Sequence, residues 1–425
     1  MSDPTVPEQR TDVLVVGAGP AGLACAHELA GQGLTTVVVD RAPALGGVPA
    51  YTGHLGFGRH LGRVMTGPAY ARALVQRAAD AGAELRAETS VTGWAETAAS
   101  GRPPAVDVTS PAGPARVVAR AVVLATGCRE QSRHGRGVPG DRPAGVLTTG
   151  RLQQAVEWYP AGCSQVGRRA VVVGAEHVSV SAVATLAAAG CKTLAMLTDL
   201  PRHQTLPVVP AALTVLRGVP VRAGVAVTAI HGRQRVEAVE VTDLGDGRRG
   251  RLGCDTVVFT GGWTVDNELA RRGGLRLAAG TGGPSVDQTL RTTSPGVFAV
   301  GNALHPAESA DASARAGRRC GRAVADYLTA GGAWRSPAAV PMVTNAPLGW
   351  ITPDALTWPA SRTVVRDAVL RTDTFARGRL LVTQDGRRLW RGRFSRLVPN
   401  RSIRLPLGFT HAVDPGGGPV VVAVG

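Results

Sequence analysis

A glycine-rich turn between an apolar strand and a helix constrains this chain more than any other feature. Val13 to Val16 run into Gly17-Ala18-Gly19-Pro20-Ala21-Gly22, and a second apolar run, "LTTVVVD", ends in Asp40. Gly17 permits the tight turn, and Gly19 lets a phosphate approach the backbone. Gly22 lets the following helix pack closely on the strand. The helix start offers N–H groups and partial positive charge to a pyrophosphate. Asp40 stands where an acid accepts ribose hydroxyls. Strand, helix, second strand and terminal acid agree, so the segment reads as a dinucleotide-binding unit.

A second unit follows. "RRAVVVGAEHVSVSAVATLAAAGCKTLAMLTD" has the same skeleton, a strand, Gly174, a helix and a strand ending at Asp199. Glu176 and Ser179 replace its second and third glycines. A carboxylate about 4 Å from a phosphate charge is opposed by roughly 4 kcal/mol at intermediate dielectric. The sequence therefore predicts a kept fold with a weakened or absent NAD(P)H site. Asp199 suits a ribose hydroxyl, although acids are common at strand ends.

The chain has 425 residues, 44% of them hydrophobic, enough for two or three cores of ordinary size. No apolar run reaches the roughly 18 residues of a membrane span. The opening "MSDPTVPEQRTD" lacks the apolar centre of a signal peptide, so a soluble cytoplasmic protein is expected. The net charge of +16 is carried almost wholly by arginine, Lys192 being the only lysine. These arginines are scattered without a basic block interleaved with aromatics, which argues against nucleic-acid binding. Anionic substrates or an acidic partner protein stay open. The six cysteines (Cys25, Cys128, Cys163, Cys191, Cys254, Cys320) contain no C-x-x-C pair, so neither a redox dithiol nor a metal site is expected.

Three further segments carry a resemblance. After Asp40 and five residues comes Gly46-Gly47; "ARAVVLATGCRE" places Ala125-Thr126-Gly127 after a strand; "VFAVGNALHPAESADASARAG" places Gly301-Asn302 before a long helix. With the two units above, residues 10 to 330 resemble the FAD/NAD(P)-dependent oxidoreductases of the pyridine-nucleotide-disulfide superfamily. Within it they look most like the FAD subunits of opine oxidase, hydrogen cyanide synthase, dye-linked proline dehydrogenase and anaerobic glycerol-3-phosphate dehydrogenase. The resemblance implies an α/β fold with two Rossmann-like dinucleotide-binding domains of the three-layer ββα type, the second inserted in the first. An FAD domain would comprise 1–150 and 285–335, and a degenerate NAD(P)-like domain 151–284. A tail of short alternating runs, with Asp385-Gly386 as a hairpin turn, predicts a small antiparallel β domain over 340–425.

FAD is the implied cofactor. Its expected contacts are Gly17, Gly19, Pro20, Ala21, Gly22, Asp40, Arg41, Gly46, Gly47, Val48, Ala125, Thr126, Gly127, Gly301, Asn302, Ala310, Asp311 and Ala312. Asn302 stands where the family carries aspartate, and its amide can still meet a ribityl hydroxyl. The helix start at Ala310 to Ala312 would face the flavin pyrimidine edge. Catalytic candidates are His54 and His305. Tyr51 and His60 stand beside them and read equally as packing or surface residues; Arg129 and Glu130 could bind an acidic substrate or pair with each other; Glu308 reads first as a first-turn carboxylate on a helix dipole. The resemblance implies a small-molecule substrate and an iron–sulfur or second flavoprotein partner; the chain lacks the C-terminal cysteine-rich segment of several such subunits. Three functions follow in order: an FAD subunit oxidising an amine, amino acid or hydroxy acid; an NAD(P)H-dependent flavoprotein reductase; and a non-catalytic scaffold stabilised by FAD.

Overall fold

A computed structural model describes residues 6–96, 102–159, 166–332, 334, 339–358 and 364–425. Cys163 and the first five residues lie outside the described residues. The chain divides into two units, one of residues 1–50, 57–128 and 265–425, the other of 51–56 and 129–264.

In the first unit, the strands Glu84–Arg86, Thr36–Val39, Glu8–Val16, Gly113–Leu124 and Val297–Ala299 lie side by side, all parallel. Their valine-rich runs fit positions buried on both faces. Val13, Leu14, Val15, Val122 and Val123 are fully buried, and each is worth about 1.5–3 kcal/mol of apolar transfer. On its other edge the first half of Gly113–Leu124 pairs with Ala105–Ser110, which continues to Ser90–Glu96 as an antiparallel ribbon. This is the expected ββα plan.

Helix Pro20–Ala30 opens with proline at its first position, where no N–H is needed. Helix Ala310–Thr329 packs along it, and glycine is required at the crossing. A Cβ on Gly317 would stand 2.0 Å from the Ala21 carbonyl oxygen.

The second unit repeats the plan with five parallel strands in the order Val146–Thr148, Thr256–Phe259, Arg169–Val173, Lys192–Thr198 and Val221–Ala223. The strands Val225–His231, Ala238–Asp243 and Arg249–Gly253 form its antiparallel ribbon.

The tail forms two sheets, one of Ala355–Thr357, Ala339–Thr344, Val420–Val424, Ala376–Gln384 and Arg387–Leu397, the other of Leu348–Thr352, Asp367–Thr372 and Ile403–Pro406. Val340, Leu356, Leu370, Val382, Leu405 and Val422 come from both sheets into one core. The tail is mixed rather than wholly antiparallel. The last strand inserts centrally and runs parallel to Ala339–Thr344.

Candidate functional site

Register brings the first unit's motifs to one edge. Val16 is level with Val39 and with Leu124, and Leu124 is level with Ala299. Gly17, Asp40, Ala125-Thr126-Gly127 and Gly301-Asn302 therefore emerge together at the carboxyl ends of parallel strands, the usual crevice for ligands in such sheets. Gly17 has φ +107°, and a Cβ there would lie 2.5 Å from the Ala125 carbonyl oxygen. A Cβ on Gly22 would lie 1.9 Å from the Gly17 carbonyl oxygen, whereas one on Gly19 meets nothing within 4 Å. The turn is thus crowded on its sheet side and open directly before the helix start. That open space fits a diphosphate.

The remaining expected contacts surround it. Gly46 N–H donates to the Ala18 carbonyl at 2.9 Å, drawing the Gly46-Gly47 loop over the turn. Val48 is half exposed beside it. Asp40 accepts from Ala18 N–H at 2.7 Å through one oxygen and from Ala42 N–H at 2.9 Å through the other. Each oxygen keeps a second lone pair for a ribose hydroxyl. Arg41 is exposed and pairs with Asp266 at 3.4 Å, and the Thr126 hydroxyl donates to the Asp266 carbonyl at 2.7 Å. Gly301 has φ +71° and closes on Ala21. Asn302 is committed locally, its Oδ1 accepting from Glu308 N–H at 2.9 Å.

Ser309 caps helix Ala310–Thr329 by accepting from Ala312 N–H at 3.3 Å. Asp311 in its first turn meets His60, with 2.5 Å from Nδ1 to Oδ1 and 3.3 Å from the His60 N–H. The two side chains are 5% and 12% exposed. Burial raises the Asp311 carboxyl, but the His60 hydrogen bonds outweigh it, and the group titrates below its ordinary range. The ring of Tyr70 meets His60 edge-on, and its hydroxyl donates to the Ala310 carbonyl at 3.4 Å. Sequence reasoning named His60 and Asp311 separately and missed Tyr70.

His305 is buried against Trp350, ring centroids 5.0 Å apart. Burial pushes its pKa down to about 4, helped by Arg371 and Arg404 and opposed by Glu308. Glu308 pairs with Arg404 at 2.7 Å and accepts from the Ser402 hydroxyl.

The second unit contrasts with the first. Gly174 keeps its turn at φ +139°, crowded on its sheet side as Gly17 is, with a built Cβ 1.9 Å from the Thr260 hydroxyl; the difference lies at the next two positions. Glu176 and Ser179 form a capping box at the head of helix His177–Ala188, Ser179 Oγ accepting from Glu176 N–H at 3.1 Å and lying 2.6 Å from Thr260 Oγ1. Glu176 is buried, and a Cβ on Gly261 would come 1.5 Å from its Oε1. Asp199 is exposed at its strand end.

Arg136 donates to the Thr260 carbonyl. Burial lowers its pKa, while Glu176, Glu130 and Asp199 pull it back up. Glu130 accepts from the N–H groups of Gly150 at 2.9 Å and Gly261 at 3.3 Å; burial holds its carboxyl above the usual range against those bonds. Arg129 beside it is exposed. His54 belongs to this unit, with Nε2 2.6 Å from Ser181 Oγ and Nδ1 2.8 Å from the Leu55 carbonyl. Tyr51 packs edge-on against Trp158. Sequence reasoning missed Arg136, Ser181 and Thr260, which no motif spacing marks.

Among the described residues no group of three His, Cys, Asp or Glu could hold a metal ion, and no helix is long and apolar enough to cross a membrane.

A family model described as pyridine nucleotide-disulphide oxidoreductase matches residues 11–317. An opine oxidase subunit of Agrobacterium tumefaciens (strain Ach5) is 30% identical over 332 residues, covering 72% of this chain and 64% of that protein. The match therefore spans less than two thirds of that relative's length. A ferredoxin–NADP reductase of Salinispora arenicola (strain CNS-205) is 31% identical over 301 residues, covering 68% and 85% of the two chains. Among solved structures, T. acidophilum thioredoxin reductase superposes with a TM-score of 0.63 at 23% identity, over 76% of this chain and 99% of that one. L-proline dehydrogenase from P. horikoshii does so with 0.55 at 19%, over 77% and 57%. These two likenesses establish the fold.

Proposed function

The chain belongs to the pyridine nucleotide-disulphide oxidoreductase family, whose members are FAD-dependent oxidoreductases. From that premise we propose that it is the FAD-bearing dehydrogenase or electron-transfer subunit of a complex oxidising an amine, amino acid or hydroxy acid. Its electrons pass to a separate protein, an iron–sulfur or second flavoprotein subunit, and not to or from a nicotinamide. The observation that carries this reading is the contrast between the two turns: space stands before the helix at Gly19, and a buried carboxylate stands at Glu176. The name of the opine oxidase relative, which marks it as one subunit of several, supports the multi-subunit part.

FAD supplies a two-electron acceptor when bound. The turn Gly17–Gly22 and the helix start would hold its diphosphate, Asp40 its ribose hydroxyls, and the helix start at Ala310–Ala312 its pyrimidine edge. Arg41, Gly46, Gly47, Val48, Ala125, Thr126, Gly127 and Gly301 would line the path, and Asn302 shapes its loop by bonding Glu308. With Nδ1 engaged by Asp311, His60 has Nε2 left to take the proton that a substrate amine or hydroxyl releases on oxidation. His54, held by Ser181 and the Leu55 carbonyl, and His305, buried against Trp350, are given no step in this reading.

The ferredoxin–NADP reductase relative favours a second reading, an NAD(P)H-dependent reductase. Anaerobic titration of the FAD-loaded protein separates the two. Bleaching by a panel of amines, amino acids and hydroxy acids, with none by NADH or NADPH, is expected. Rapid bleaching by micromolar NADPH establishes the second reading instead.

A further inference from the structure

The hairpin of strands Ala376–Gln384 and Arg387–Leu397 lies beyond the residues matched by the family. Its turn, Asp385-Gly386, has φ of +49° and +77°, the left-handed pair of a two-residue hairpin turn. Strand alternation buries Gly378, Leu380, Val382 and Gln384 and leaves Arg377 and Arg379 exposed. Across the ladder Arg377 is opposite Arg396, Arg379 opposite Phe394, Leu381 opposite Arg391 and Thr383 opposite Arg388. Opposite residues share a sheet face. Five arginines and one phenylalanine, itself 61% exposed, are therefore gathered on the outer face.

This arrangement works against the stability of the hairpin. Like charges directly opposite are destabilising, and among the described residues none of these five arginines forms an ion pair. Protection of a sheet edge accounts for charge on Arg387–Leu397, which is the edge strand. It does not account for Arg377 and Arg379, whose strand is paired on both sides, nor for an exposed aromatic ring among them.

We propose that this face docks a small acidic iron–sulfur carrier protein that receives the electrons; the identity of that partner rests on the function proposed above. Arginine and aromatic side chains are the groups that anchor protein interfaces. An unpaired positive field steers an oppositely charged protein onto them and makes association depend on salt. A nucleic-acid strand needs successive stacking rings, and this face exposes one. A lipid surface needs a broad apolar face, and here charge surrounds that ring.

The experiment uses the full FAD-loaded chain and an acidic plant-type ferredoxin as probe, with binding measured by calorimetry. Three variants are compared: the triple charge reversal R379E/R391E/R396E, its neutral counterpart R379Q/R391Q/R396Q, and F394A. All should melt within a few degrees of the parent, because the changed side chains are exposed and their mutual repulsion is relieved. Micromolar binding is expected, weakening about tenfold or more between about 50 and about 300 mM salt. The reversal should cost at least about tenfold, and the neutral variant and F394A less. Equal affinity in parent and reversal overturns the proposal, as does the absence of ferredoxin binding. Tighter binding of oligo-dT or of phosphatidylserine vesicles, lost in the same variants, overturns it in favour of that occupant. NADPH bleaching, scored separately, tests the function and leaves the docking result standing.

Discussion

His60 Nδ1 lies 2.5 Å from Asp311 Oδ1, a pairing across 251 residues that joins the loop after Gly46-Gly47 to the first turn of the helix expected at the flavin. A carboxylate at a helix start is favoured by the macrodipole. It also fixes the imidazole with Nδ1–H toward the acid, so that Nε2 is the nitrogen presented away from it. Replacing His60 by Gln should retain FAD and lower kcat/KM for the oxidised substrate by about 10²–10⁴. D311N should retain part of the rate, since the imidazole stays and only the acid that orients it is lost. The flavin midpoint potential gives an independent readout: Asp311 titrates below its ordinary range and so carries negative charge at the helix start, and D311N should raise the potential by removing it. An unchanged rate and potential would reduce the pair to packing.

The two glycines of the first turn should fail in different ways. Gly19 has φ −76° and no atom within 4 Å of a built Cβ, so Gly19→Ala should leave the apo protein within about 0.5 kcal/mol of the parent. The methyl then stands in the phosphate space, and FAD affinity should fall about tenfold or more. Gly22→Ala puts a methyl 1.9 Å from the Gly17 carbonyl oxygen and should destabilise the apo protein by about 2–3 kcal/mol. Melting of the apo protein and flavin-fluorescence titration separate the effects. Equal loss of stability in both variants would refute the open cradle.

Gly17, Gly19, Gly22 and Asp40 were legible because a turn and its flanking strands are local in sequence and backbone sterics dictate the residue type. Asp385-Gly386 was legible for the same reason. His60–Asp311 was not, since no spacing encodes a contact between chain segments so far apart. The sequence marks Asn302 for a ribityl hydroxyl but not its local bond, in which the amide closes the loop to Glu308; only three-dimensional proximity reveals that contact. The arginines looked scattered because two register shifts, at Arg379/Leu381 and Val382/Thr383, break the alternation that would have shown them on one face. Glu176 was read as a repulsive group. The structure adds that it belongs to a capping box, so it stabilises the helix start from which it would repel a phosphate.

That dual role gives Glu176→Gly two opposite effects. Loss of the capping box should cost about 1 kcal/mol of stability. Removal of a buried acid from the turn should raise nicotinamide affinity about tenfold or more. Ser179 still stands where the third glycine of an intact turn would, so affinity should stay below that of such a turn. Calorimetry with NADPH and thermal melting of the same variant measure the two effects. A variant that melts lower yet binds NADPH no better would refute the electrostatic account of this turn.

His305 supplies a pH dependence with a definite sign. It is 6% exposed, packed on Trp350 and close to Arg371, Arg404 and Glu308, and its pKa falls to about 4 in the folded state. The unfolded value is about 6.5. Between those limits the unfolded chain binds a proton that the folded chain refuses, so stability rises with pH. The contribution is fully present above about pH 6.5 and is lost as the pH falls through about 4. The whole span is worth about 3 kcal/mol. Urea unfolding of the apo protein, followed by tryptophan fluorescence, should show this slope between about pH 4.5 and 6.5. His305→Gln should remove the part due to this residue, about 1.4 kcal/mol per pH unit, while leaving the slopes from carboxylates in place. Identical slopes in parent and variant would mean that His305 takes up its proton in the folded state, and the neutral, buried imidazole would be disproved.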